Sequence, residues 1–80
     1  MHTQDSPLTM RCGNFCYTLL AVAVDGETRY TISATDGGDL RVSLEGFTDS
    51  ACLAEAFLAL LARNGVNPLQ IPDVWEDMLT

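Results

Sequence analysis

The sequence predicts an α+β fold: an antiparallel four-stranded β-meander with one main C-terminal helix on one face and a short terminal helix after it. Three observations predict it. From Leu8 to Glu45 apolar and polar residues alternate with the period of two that sends successive side chains to opposite faces of a sheet. Turn residues interrupt that pattern at Gly13-Asn14, Asp25-Gly26 and Asp36-Gly37-Gly38, at intervals that suit hairpins. From Thr48 onward the apolar spacing becomes helical and ends at Asn64-Gly65. At 80 residues the chain is one domain, since a core of this size cannot be divided into two that each bury enough apolar surface to fold. Its parts are a flexible tail over 1–7, the meander over 8–45, the main helix over 48–64 and the short helix over 72–79.

Each turn sets a register. Gly13-Asn14 has glycine at the first central position of a primed two-residue loop, which pairs Cys12 with Phe15, Met10 with Tyr17 and Leu8 with Leu19. These six residues share a face. Gly13 and Asn14 also fit an irregular lead-in, so the meander has at least three strands. Asp25-Gly26 is the strongest hairpin signal and sets Ala21 opposite Tyr30, Leu19 opposite Ile32 and Tyr17 opposite Ala34. At the third turn a three-residue loop with Gly38 in the left-handed conformation keeps the faces in agreement, pairing Ala34 with Leu40, Ile32 with Val42 and Tyr30 with Leu44. It also places Arg29 opposite Glu45 as an exposed cross-strand ion pair.

Gly46 ends the last strand in this reading. Thr48 is the expected helix N-cap, Asp49 lies in the first turn, and Phe47 with Cys52 forms a hydrophobic staple. Leu53, Ala56, Phe57, Leu60 and Leu61 make the face expected on the sheet. The other side, Ala54, Leu58, Ala59 and Ala62, is apolar enough to require a cover, and the tail supplies it. Pro72 suits a first helical position and opens a helix to about Leu79, with Val74, Trp75, Met78 and Leu79 on one side and Asp73, Glu76 and Asp77 on the other.

Composition narrows the function. Eleven acids against four bases give a formal charge of -7, which disfavours direct binding to nucleic acid or an anionic membrane. There is no apolar run of membrane-spanning length, and Met1 to Asp5 lack the features of a signal peptide, so the expected location is the cytoplasm. Three cysteines, an odd count, argue against a disulfide framework. All four bases are arginine; coding bias accounts for this, although an arginine fork also grips carboxylates as lysine does not. His2 sits in the tail. Cys12 and Cys16 point to opposite faces and cannot share a tetrahedral metal ion. Asp36-Gly37-Gly38-Asp39 reads as a turn rather than a calcium loop, because the alternating ligands and distant glutamate are missing. Without a phosphate-binding loop or nucleophile elbow, the expectation is a protein that is not an enzyme, with no catalytic residue, cofactor or metal.

The outward positions say more. Leu20, Val22 and Val24 face outward from a strand that is then apolar on both sides, and Arg11, Arg29 and Arg41 share that face with Thr31 and Glu45. An aliphatic centre with an arginine rim is the composition of a contact surface. The acids Asp73, Glu76 and Asp77 form a second candidate surface, suited to a basic partner. The partner-binding set is therefore Leu20, Val22, Arg29, Thr31, Arg41 and Glu45 on the sheet, with Asp73, Glu76 and Asp77 on the tail.

In size and layout, four strands with helices on one face in about eighty residues, the chain resembles the small phage-encoded anti-CRISPR proteins. The resemblance implies an inhibitor of the host cytoplasm that blocks a larger complex, here a CRISPR surveillance complex, so that target DNA cannot enter. Two alternatives from other classes stand beside it. One is a homo-oligomeric structural or accessory subunit whose Leu20, Val22 and Val24 meet their symmetry mates. The other is a protein holding a small apolar ligand between sheet and helix near Tyr17, Tyr30 and Trp75.

Overall fold

A computed structural model describes residues 7–79; His2 and, apart from Pro7, the tail expected over 1–7 lie outside the described residues. Four strands, β1 (Leu8–Cys12), β2 (Phe15–Val24), β3 (Glu27–Thr35) and β4 (Arg41–Thr48), form one antiparallel sheet in sequential order. Helix α1 (Ala51–Asn64), a 3-10 turn (Pro68–Gln70) and helix α2 (Ile71–Leu79) follow.

The first two hairpins have the expected registers. Cys12 pairs with Phe15, Met10 with Tyr17 and Leu8 with Leu19; Ala21 pairs with Tyr30, Leu19 with Ile32 and Tyr17 with Ala34. At the second turn both central residues, Asp25 (φ 52) and Gly26 (φ 81), are left-handed, as a type I′ turn requires.

The third hairpin corrects the expected register. Thr35 pairs with Arg41, Ala34 with Val42 and Ile32 with Leu44, so the loop has five residues rather than three. Gly37, not Gly38, is left-handed (φ 86), and the Asp36 carboxylate accepts the Gly38 N–H at 2.8 Å. This side-chain turn absorbs the two extra residues. A shift of two leaves every side chain on its expected face, which is why alternation alone does not detect it. A bulge follows: Tyr30 pairs with Thr48, so Glu45, Gly46 and Phe47 together oppose Thr31. Gly46 (φ 58) therefore bends the strand instead of ending it.

The helix start is corrected too. Thr48 is a buried strand residue whose Oγ1 accepts the Ser50 N–H at 3.1 Å, and Ser50 is the N-cap, its Oγ accepting the Leu53 N–H at 3.2 Å. The expected staple does not form. Cys52 is exposed, and Phe47 packs on Phe57 and Trp75 instead. The buried stripe is Ala54, Phe57, Leu58 and Leu61, while Leu53 is 36% exposed and Ala56 is exposed. A helix apolar nearly all round carries two overlapping stripes with the same spacing, and the one that includes Ala54 and Leu58 is the one buried.

Helix α1 lies chiefly over β1 and β2. It stops in a Schellman motif: Gly65 (φ 59) donates to the Ala62 carbonyl and Val66 to the Leu61 carbonyl. Asn67 caps the 3-10 turn, its side chain accepting the Leu69 N–H at 3.0 Å, and α2 begins at Ile71, one residue before Pro72. Trp75 sits edge-on to Phe47 and Phe57 at centroid distances of 4.9 and 5.0 Å, closing the core at its β4 margin. The remaining core is Tyr17, Leu19, Ile32 and Ala34 from the sheet with Ile71 from the tail.

Candidate functional site

Because both helices share one core with the inner face, the outer face of the sheet has no layer of its own over it among the described residues. The registers arrange its side chains in rows across the strands. One row is Arg11, Cys16, Thr35 and Arg41, and the next is Thr9, Thr18, Ser33 and Ser43, one hydroxyl from each strand. Thr9 and Thr18 are in hydrogen-bond contact, Oγ1 to Oγ1, at 3.3 Å. Beyond them come Leu20 beside Thr31, Val22 beside Arg29, and Val24 beside Glu27. The face thus has a polar half with an arginine at each margin, separated by three strand spacings or about 14 Å, and an aliphatic half drawn from one strand. Val22 is 42% and Val24 50% exposed; Leu20 is half-buried.

The expected Arg29–Glu45 pair is replaced by a different arrangement. Arg29 donates from Nε and Nη2 to the Gly46 carbonyl at 3.3 and 3.2 Å, and the Gly46 N–H donates to Thr31 Oγ1 at 3.1 Å. Two outer residues of β3 therefore hold both backbone polar groups of Gly46 at the bulge, and Glu45 stands exposed beside it. The guanidinium keeps N–H donors beyond the two that reach the Gly46 carbonyl. Arg41 is exposed at the margin.

Asp73, Glu76 and Asp77 are exposed on α2, in the layer on the opposite side of the sheet. The two candidate surfaces are therefore separate. Between the β1–β2 turn and the β3–β4 loop lies an open depression of about 280 Å³, lined by Arg11, Asn14, Phe15, Cys16, Thr35 and the two glycines Gly13 and Gly37. Close approach of the loops there depends on Gly37, where a Cβ would come 3.3 Å from the Asn14 carbonyl oxygen.

Tyr17 and Trp75 are committed to packing. The wholly buried Tyr17 donates its phenol to the Val66 carbonyl at 2.6 Å, and its pKa is raised, first by burial and second by negative charge at Cys12. Among the described residues no group of three His, Cys, Asp or Glu side chains is placed to hold a metal ion. Cys12 is half-buried on the core side and Cys16 half-buried in the outer row.

Of the two polar rows only Arg41 belongs to the partner-binding set read from the sequence; Arg11, Cys16, Thr18, Ser33 and Ser43 lie outside it, as do Thr9 and Thr35, which complete the rows. Thr9 alternates with Arg11 in the expected edge strand and was legible there; Thr35 joins Arg41 only through the five-residue loop. Comparison with protein-family models, with curated proteins and with solved structures finds no match.

Proposed function

We propose that this protein works by binding another protein through the outer face of its sheet, blocking a surface its partner needs, as the resemblance to the small phage-encoded anti-CRISPR proteins implies. One observation supports the reading: the helices take one face, and the other presents Leu20, Val22 and Val24 beside three of the chain's four arginines. Aliphatic area left in water costs about 25 cal/mol per Å² relative to burial, and arginine at the margin of an apolar patch is typical of contact surfaces. The rows of arginine and hydroxyl groups suit a partner that brings carboxylates and peptide groups. Phosphate is the wrong partner, because a nucleic acid would meet the repulsion of a chain carrying a net -7.

The test compares three variants in capture from host lysate followed by affinity measurement on the purified partner. Arg11→Glu with Arg41→Glu, and separately Val22→Glu, should each weaken the complex more than about tenfold, a loss of ~1.4 kcal/mol. Reversal of Asp73, Glu76 and Asp77 to arginine should leave the dissociation rate unchanged. If every partner binds the outer-face variants as it binds the parent, the reading fails.

A further inference from the structure

We propose that the β2 segment Leu20–Val24 is an edge through which two copies of this chain pair antiparallel about a two-fold axis at Val22, joining two sheets into one. The ladder to β1 ends at Leu8 and Leu19, and the ladder to β4 ends at Tyr30 and Thr48. The β2–β3 hairpin continues past both, so residues 21–28 stand out as a two-stranded ribbon, every residue of it exposed.

Among the described residues the backbone of this ribbon is open on the β2 side. Val24 and Glu27 flank a two-residue turn and are therefore a hydrogen-bonded pair; alternation makes Val22 with Arg29 the next one. The N–H and C=O groups of Ala21 and Ala23 then point away from β3, to the side where, among the described residues, the β1 ladder has ended. Edge strands normally carry a lysine, a proline, a bulge or an inward charge that prevents pairing. Leu20–Val24 has none of these.

The occupant follows from the sequence of the edge itself. Leu-Ala-Val-Ala-Val is close to symmetric in size about Val22, so antiparallel pairing puts Ala21 against Ala23 of the second copy, Leu20 against Val24, and Val22 against its own mate. That is the self-complementarity an isologous interface requires. Charge selects the same direction. Asp25 and Glu27 lie at the ribbon tip; antiparallel pairing sends the two tips to opposite ends, whereas parallel pairing would align like charges. The interface is small, which places the dimer among weak associations. Because each chain carries -7, added salt should strengthen it, the reverse of a contact made by ion pairs.

This inference is independent of the foreign-partner reading, since pure protein tests it. Sedimentation equilibrium from about 5 to about 500 μM should show a monomer–dimer equilibrium that shifts toward dimer with salt, and the exposed substitution Val22→Lys should leave a folded monomer by circular dichroism. Oxidation of Val22→Cys should yield a disulfide-linked dimer faster than Ser43→Cys on β4 or the parent with its native thiols. Hydrogen exchange on the parent supplies a readout without mutation: protection of the Ala21 and Ala23 amides should rise with concentration. A monomer at every concentration, a dimer untouched by Val22→Lys, equal cross-linking of the two cysteine variants, or Ala21 and Ala23 protection independent of concentration would each overturn the proposal, the last by showing the edge covered some other way.

Discussion

Replacing Tyr17 by phenylalanine removes one oxygen from the centre of the fold and leaves the ring. That oxygen donates to the Val66 carbonyl at 2.6 Å from a side chain with no exposed surface, so it ties β2 to the chain just past the Schellman motif of α1. A hydrogen bond of this kind contributes about 0.5–1.5 kcal/mol net, and a carbonyl left without its donor in a partly buried site adds about 1 kcal/mol or more. The expected loss is about 2 kcal/mol, or roughly 8–16 °C in Tm for a domain of this size. The pH dependence gives a second signature. The folded phenol holds its proton more tightly than the unfolded one, because burial and then negative charge at Cys12 raise its pKa. The folded state therefore binds more protons than the unfolded state above about pH 10, and stability present in full below that pH is lost as pH rises through the raised value. Urea unfolding of both proteins at pH 7 and across pH 9–11 measures the two effects. The Phe variant should be weaker at pH 7 and lack this component of the alkaline loss. Equal stability at pH 7 with identical alkaline profiles would refute the placement of this hydroxyl.

Phe57→Ala should cost about 3–5 kcal/mol, since the ring is wholly buried and packs on both Phe47 and Trp75; urea unfolding followed by Trp75 fluorescence checks it, and a change under about 1 kcal/mol contradicts the packing. Gly65→Ala should cost about 1–2 kcal/mol for the left-handed backbone and more for a Cβ placed 3.1 Å from Cys12 Sγ. Combining it with Cys12→Ala should recover the contact part and leave the backbone part, a separation that a double-mutant cycle measures.

The turns that specify their own register were legible in the sequence. Asp25-Gly26 admits a two-residue loop of one kind; Gly13-Asn14 also fitted an irregular lead-in, but the pairings that both dictate as two-residue loops are those found. The third connection was not legible, because its length is decided by Asp36 bonding Gly38 rather than by the glycines, and because parity is the same for three residues as for five. The bulge at Gly46 was hidden for a related reason: a glycine near a strand end reads equally as a stop or a bend, and only Arg29 and Thr31 from the neighbouring strand distinguish them. In α1, two apolar stripes overlapped, and local spacing contains nothing that chooses between them. The outer face was legible as a composition, whereas its order in rows required the true β3–β4 register.

If the chain binds another protein as proposed, that order bears on how it would meet this partner. Arg11, Arg29 and Arg41 lie on the outer face, while the acids sit mainly in turns and helices, Asp25, Glu27, Asp36 and Asp39 at the ends of the strands and Asp73, Glu76 and Asp77 on α2. At physiological salt, charges more than about 8 Å apart are largely screened from one another. A partner beyond that distance responds weakly to the net -7 and is steered if its surface is basic. Once the outer face is in contact, the nearest charges are arginines and the nearest uncharged groups are hydroxyls and valines, so carboxylates and apolar side chains are what fit. Encounter and fit thus ask for different things of the same partner: a basic surround for capture and an acidic or apolar patch at the point of contact. On the proposed reading, salt should act on the association rate through the surround, while substitutions at Val22 and Arg41 should act on the dissociation rate.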